Sequence, residues 1–148
     1  MCTMSYRIPL LVIATAVLTA AVVLLTPLRY IQIVEPSIND TDAEKFYADF
    51  SQNPDNYVFI DVRPADAFKK IHAQGSVSMP LHTLYDMRKV LPKHGKEVVL
   101  ICSGGYASGV GYSYLEHYGF RNIARIEGGI EQWSLRGLPV DSGALSSQ

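Results

Sequence analysis

Glu97-Val98-Val99-Leu100-Ile101-Cys102-Ser103-Gly104-Gly105-Tyr106-Ala107-Ser108 decides the reading of this chain. After Glu97, Val98 to Ile101 is a short apolar, largely β-branched run, the profile of a strand buried on both faces. The run enters Cys102, then a glycine-rich loop, and a helical stretch follows to Tyr118, closed by Gly119. A strand–loop–helix order puts Cys102 at the carboxyl end of a parallel strand, the edge where open α/β sheets bind their ligands. Gly104 and Gly105 allow a backbone that turns successive N–H groups toward one centre. The helix adds the positive end of its dipole. Such a site favours a thiolate over a thiol, which is the state a cysteine nucleophile needs. The bland alternative is a buried packing cysteine.

Working outward, the same alternation repeats. Thr41 and Glu44 form a capping-box pattern that opens a helix over 42–51, with Ala43, Phe46, Tyr47 and Phe50 on one face. Tyr57 to Ile60 is a second buried strand, ending at Asp61. Pro64 starts another helix, Ser76 to Met79 a short strand, and residues 82–90 a helix. Asn122 to Ile126 is a strand, Glu127-Gly128-Gly129 a turn and Ile130 to Leu135 a final helix. Strands alternating with helices predict an α/β fold with a central parallel sheet flanked by helices. Gly109 and Gly111 fall inside the helix after the loop, where each costs roughly 1 kcal/mol against Ala, so close packing is expected there.

The amino end differs. Residues 8–28 carry no charged side chain and lie between Arg7 and Arg29. As a helix they rise roughly 31 Å at 1.5 Å per residue, close to the ~30 Å of a bilayer core. A core helix would repeat polar positions on one face, and none recur. A cleaved signal peptide has an apolar stretch of roughly 7–15 residues, which this run exceeds. The expectation is an uncleaved transmembrane anchor at 8–28 contacting membrane lipid, after a tail at 1–7. A linker at 29–40, the domain at 41–141 and a tail at 142–148 follow. Lys and Arg nearly balance across the span; a cytoplasmic amino terminus, which places the domain on the extracytoplasmic side, is preferred.

Several function classes drop out. The net charge is −1 over 148 residues, with no basic stripe for nucleic acid. The two cysteines, Cys2 and Cys102, flank the apolar span, and no CxxC pair exists for zinc or dithiol chemistry. His82, His94 and His117 lack ligand spacing and are expected to face solvent. A cysteine phosphatase needs Arg after five intervening residues, and that position is Ser108.

Four segments together resemble the rhodanese domain, the sulfurtransferase module. Asp61-Val62-Arg63-Pro64-Ala65-Asp66-Ala67-Phe68 is similar to D-V-R-x-x-x-E-F, and His72 to Pro80 is similar to H-I-P-G-A-x-N-I-P. Cys102 to Ser108 resembles the active loop C-x-x-G-x-R-S. Glu127 to Trp133 with Gly137-Leu138-Pro139-Val140 resembles the closing L-x-G-G-x-x-x-W-x-x-x-G-L-P-V. The resemblance implies that Cys102 takes a sulfane sulfur from thiosulfate or a persulfide and passes it to cyanide or a thiol, protein thiols included. The persulfide would be cradled by amides of Ser103, Gly104, Gly105, Tyr106, Ala107 and Ser108. No metal and no cofactor are implied. Asp61, Arg63 and His72 are read as structural support, and Tyr106 as a wall of the pocket. The sequence departs from the pattern at Ala107, where Arg is common, and at Ser103, where Arg is frequent. The loop therefore lacks its own charge for a dianion, which favours a thiol-bound persulfide as donor. It also keeps a second reading open: a rhodanese-like binding or regulatory module with weak or no activity. A sulfenic-acid sensor ranks last, since no resolving cysteine is near.

Overall fold

The computed structural model describes residues 7–25 and 38–143. They fall into two units, divided after Glu35. The first contains α1 (Arg7–Leu25). Its 19 residues rise roughly 28 Å, and the first is charged. Among the described residues no helix is long and apolar enough to cross a membrane. The transmembrane anchor expected at 8–28 is thus not supported: the described helix covers Arg7–Leu25, and residues 26–28 lie outside the described residues, as do 1–6 and 144–148 of the tails and 29–37 of the linker.

The second unit runs β1 (Asp40–Thr41), α2 (Ala43–Phe50), β2 (Tyr57–Asp61), α3 (Ala65–Lys70), β3 (His72–Ala73), β4 (Val77–Ser78), α4 (Leu81–Met87), β5 (Glu97–Ile101), α5 (Tyr106–His117), β6 (Ile123–Ile126), α6 (Gly129–Leu135) and β7 (Val140–Asp141). Five strands form a parallel sheet in the order β1-β6-β5-β2-β4, as the alternating pattern predicts. A separate pair, β3 with β7, is antiparallel and was not expected.

Three local expectations change. Asp42, not Thr41, caps α2: its Oδ1 accepts from the amides of Glu44 (3.0 Å) and Lys45 (3.1 Å). Thr41 instead belongs to β1, paired to Ile126, and its carbonyl accepts from the Glu127 amide. Asp40, assigned above to the linker, is thereby part of the sheet edge. The helix expected at 82–90 ends at Met87 and tightens to a 3₁₀ turn over Arg88–Val90.

The period-2 alternation of the strands sorts the core. Ile60, Val98, Leu100 and Cys102 join Leu84, Tyr112 and Leu115 on the face covered by α4 and α5. Phe59, Val99, Ile101, Ala124 and Ile126 join Phe46, Ile130 and Trp133 on the other, covered by α2 and α6. The α5 glycines are explained here. A Cβ on Gly111 would stand 3.1 Å from Leu84 and 3.2 Å from Leu100, so α5 lies close against sheet and α4.

Candidate active site

Register places the site. β2 and β5 run parallel with Asp61 opposite Ile101, so both chains leave the sheet together. Val62, Arg63 and Pro64 from one exit face Cys102, Ser103 and Gly104 from the other across a cavity of about 500 Å³. Pro80, Leu81 and His82 at the start of α4 close a third side, and Tyr106 and Ala107 of α5 a fourth. His82 is exposed as expected, but on this rim. Tyr106 is among the lining residues and remains 86% exposed.

Cys102 is 2% exposed and lines this cavity. Its Sγ accepts the Gly105 amide at 3.1 Å and lies 3.4 Å from Ser108 Oγ. Of the amides expected to cradle the sulfur, Gly105's is therefore the one on Sγ itself. Gly105 caps α5 at φ 106°, a left-handed angle that suits glycine. The first amides of α5 have no partners within the helix. The carbonyls of the loop are turned away from it. Cys102 O accepts the Ile130 amide at 2.8 Å and Ser103 O that of Glu131 at 3.2 Å. Gly129 permits this approach: a Cβ there would lie 2.3 Å from Cys102 O and 2.4 Å from Ser103 O. The Glu127-Gly128-Gly129 turn is thus the support of the cysteine loop.

Asp61 and Arg63 make a buried, bidentate ion pair. Arg63 Nε lies 3.0 Å from both Asp61 oxygens and Nη2 2.7 Å from Oδ2, while Nη2 also donates to Ile71 O at 2.6 Å. Arg63 borders the cavity, yet its Nε and Nη2 are already engaged. His72 Nδ1 is 2.9 Å from Phe68 O, and the ring stacks on Phe68 at 3.7 Å. These contacts support the scaffold.

The sequence reading missed Arg125. The loop carries no cation of its own, but β6 brings one to it. Arg125 Nη1 donates to Gly105 O at 2.8 Å, and its other nitrogens pair with Asp40 (Nη2–Oδ2 3.0 Å). Its hydrogen bond to Asp40 raises its pKa above the ordinary arginine value; burial opposes this, and attraction to Asp40, Cys102 and Glu127 adds to it. Gly109 makes the room, since a Cβ there would lie 2.8 Å from Nη1. The signal was present: Arg125 is the one charged residue of an otherwise apolar strand, opposite Leu100 of β5. Gly105 O also accepts from the Gly109 amide (3.0 Å) and from Ser108 Oγ (3.0 Å). A carbonyl offers two lone pairs. With Arg125 and Gly109 on it, the freely rotating Ser108 hydroxyl can turn its proton to a negatively charged Sγ instead. Glu131 lies on the opposite flank, its carboxylate 3.6 Å from where a Cβ of Gly104 would stand.

Comparison with known proteins agrees with this architecture. Residues 42–136 match the rhodanese-like domain. A tRNA uridine(34) hydroxylase of Photorhabdus laumondii is 28% identical over 97 residues, covering 60% of this chain and 27% of that protein. An HTH-type transcriptional regulator of Mycobacterium tuberculosis is 30% identical over 86 residues, covering 57% and 38%. The chain thus spans about a quarter to two fifths of these relatives' length. A rhodanese-related protein of Thermoplasma volcanium superposes with a TM-score of 0.59 at 29% identity, over 70% of this chain and 97% of that one. The thiosulfate sulfurtransferase of Pseudomonas aeruginosa has a TM-score of 0.66, over 75% of this chain and 21% of that one; at 23% identity it speaks for the fold alone. From Asp42 to Arg136 this chain belongs to the rhodanese-like domain family.

Proposed function

We propose that this protein is a sulfurtransferase whose Cys102 carries a sulfane sulfur between a small donor and a thiol or cyanide acceptor. The observation that carries the reading is Sγ facing a cavity with the Gly105 amide at 3.1 Å and Ser108 Oγ at 3.4 Å. The Cys102 thiolate attacks the outer sulfur of thiosulfate or a persulfide. A Cys102–sulfur bond forms, the donor's S–S bond breaks, and the leaving group (sulfite from thiosulfate) departs with that electron pair. The acceptor then attacks the outer sulfur, and Cys102 leaves as thiolate. No redox partner is required. The Gly105 amide and the Ser108 hydroxyl stabilise the negative sulfur in both steps.

The test is the mass of the intact protein after incubation with donors. One added sulfur on Cys102, absent in Cys102→Ser and removed by cyanide, supports the reading. No added sulfur from any donor sinks it, and favours the second reading, a binding module in which Cys102 is inert. What speaks for that module is the engagement of both nearby arginines, Arg63 and Arg125, with protein acceptors.

Membrane attachment belongs to the same proposal on the sequence alone: residues 8–28 lack any charged side chain, and a helix apolar all round suits lipid. On this reading the domain lies on the extracytoplasmic side. Extraction of membranes with alkaline carbonate is the check. Release of the full chain into the supernatant refutes the tether and leaves the chemistry standing.

A further inference from the structure

We infer that the natural sulfur donor is an organic sulfane-sulfur compound with an apolar body and at most one negative charge, such as an aryl or alkyl persulfide or thiosulfonate, and not the thiosulfate dianion. The inference rests on the sulfurtransferase reading and narrows it. Three observations carry it. The cavity over Cys102, about 500 Å³, has room on the order of fifteen waters at ~30 Å³ each, far more than one small inorganic anion fills. Its walls are mostly apolar, with Val62, Pro64, Pro80, Leu81 and Ala107 outweighing the polar Arg63, His82 and Ser103. The charges nearby do not suit a dianion. Arg63 is held by Asp61 and Ile71 O, Arg125 by Gly105 O and Asp40, and the Glu131 carboxylate flanks Gly104.

A dianion entering here would lose water and meet, among the described residues, arginines whose charge Asp61 and Asp40 already balance, which is costly. An apolar body would leave water for walls that favour it. The chemistry balances without further reactants. Cys102 thiolate attacks the terminal sulfur of R–SO₂–S⁻, the S–S bond breaks, and the sulfinate R–SO₂⁻ leaves with the electron pair; Cys102 then bears S–S⁻.

The experiment measures the rate of Cys102 loading in the full chain, by intact mass, with thiosulfate, methanethiosulfonate and benzenethiosulfonate. Each rate is divided by that donor's rate with a free small thiol. Burial of a methylene is worth about fourfold, so the benzene compound is expected to exceed the methane compound by tenfold or more, and thiosulfate to be slowest. A second arm uses Ala107→Arg, which places a cation in the loop. It is expected to raise thiosulfate relative to benzenethiosulfonate by about tenfold, the worth of one charge-assisted hydrogen bond. If the wild type loads from thiosulfate as fast as from benzenethiosulfonate, or if ring and methyl do not differ, the donor inference falls while the sulfurtransferase reading survives. If no donor loads Cys102, both fall.

Discussion

Two arginine–carboxylate pairs flank the cysteine loop, and they differ in every physical respect. Arg63 and Asp61 are two residues apart, with side chains 7% and 0% exposed. Arg125 and Asp40 are 85 residues apart, with side chains 21% and 38% exposed. The first pair ties the end of β2 to Ile71 before β3. The second places a cation on Gly105 O, the carbonyl of the same residue whose amide holds Sγ. On the proposed function, the buried pair is expected to govern stability and the half-exposed pair the chemistry of the loop.

The largest effect expected tests the first half of that division. Arg63→Met leaves the Asp61 carboxylate buried without its cation, which costs about 3–5 kcal/mol. Urea unfolding followed by fluorescence of Trp133, the single tryptophan and fully buried, reads it. Sulfur loading per folded molecule should suffer less than in the Arg125 variant below. A stability loss under about 1 kcal/mol would break the comparison at once.

Arg125→Ala tests the other half. An exposed ion pair contributes about 0–1 kcal/mol, so the unfolding midpoint should hardly move. Loading of Cys102 should fall about tenfold, because a donor on a charged Sγ is worth roughly 1.5–3 kcal/mol, and that of Ser108 depends on the Arg125 bond to Gly105 O. Without it Ser108 Oγ settles on Gly105 O, and Sγ loses a donor. A variant equally slow but several kcal/mol less stable would make Arg125 a scaffold residue like Arg63.

Gly109→Ala sharpens the same point by a route that leaves Arg125 in place. The new Cβ would sit 2.8 Å from Nη1, and the guanidinium, as the end of a flexible side chain, can swing off Gly105 O. Helix propensity then favours Ala by up to about 1 kcal/mol. The expected result is a protein of unchanged or slightly higher stability that loads sulfur several-fold more slowly. Adding Arg125→Ala should cost nothing further in a double-mutant cycle. Additive losses would show that Gly109 serves packing alone.

The contrast between the pairs also explains what was legible in the sequence. Asp61 and Arg63 are neighbours in a recognisable segment at a strand end, so their pairing could be read. Three strands of the sheet, β2, β5 and β6, were legible from their apolar runs, the edge strand β1 was not, and the Cys102 loop was legible from its glycines. Arg125 was not, because its partners are Asp40, on an edge strand two residues long, and a carbonyl 20 residues away. Only the register of β6 against β1 and β5 brings them together. The pair β3–β7 was missed for the same reason, since two-residue strands carry no periodicity. Thr41 failed as a cap because tertiary pairing took its carbonyl.

The smallest effect is the most discriminating about how Arg125 acts. Asp40→Asn removes the carboxylate that shares the guanidinium and leaves the bond to Gly105 O available. If the cation works by its field, loading should rise, by no more than about threefold, because the charge is no longer compensated and lies near a sulfur that is negative in both half-reactions. The rise should shrink in high salt, where the Debye length falls to about 3 Å at 1 M. If Asp40 works by holding Arg125 in position, loading should fall instead and salt should not restore it. The pair is half-exposed, so stability stays within about 1 kcal/mol in either case. The sign of the rate change thus separates a charge that acts through space from one that acts as a strut.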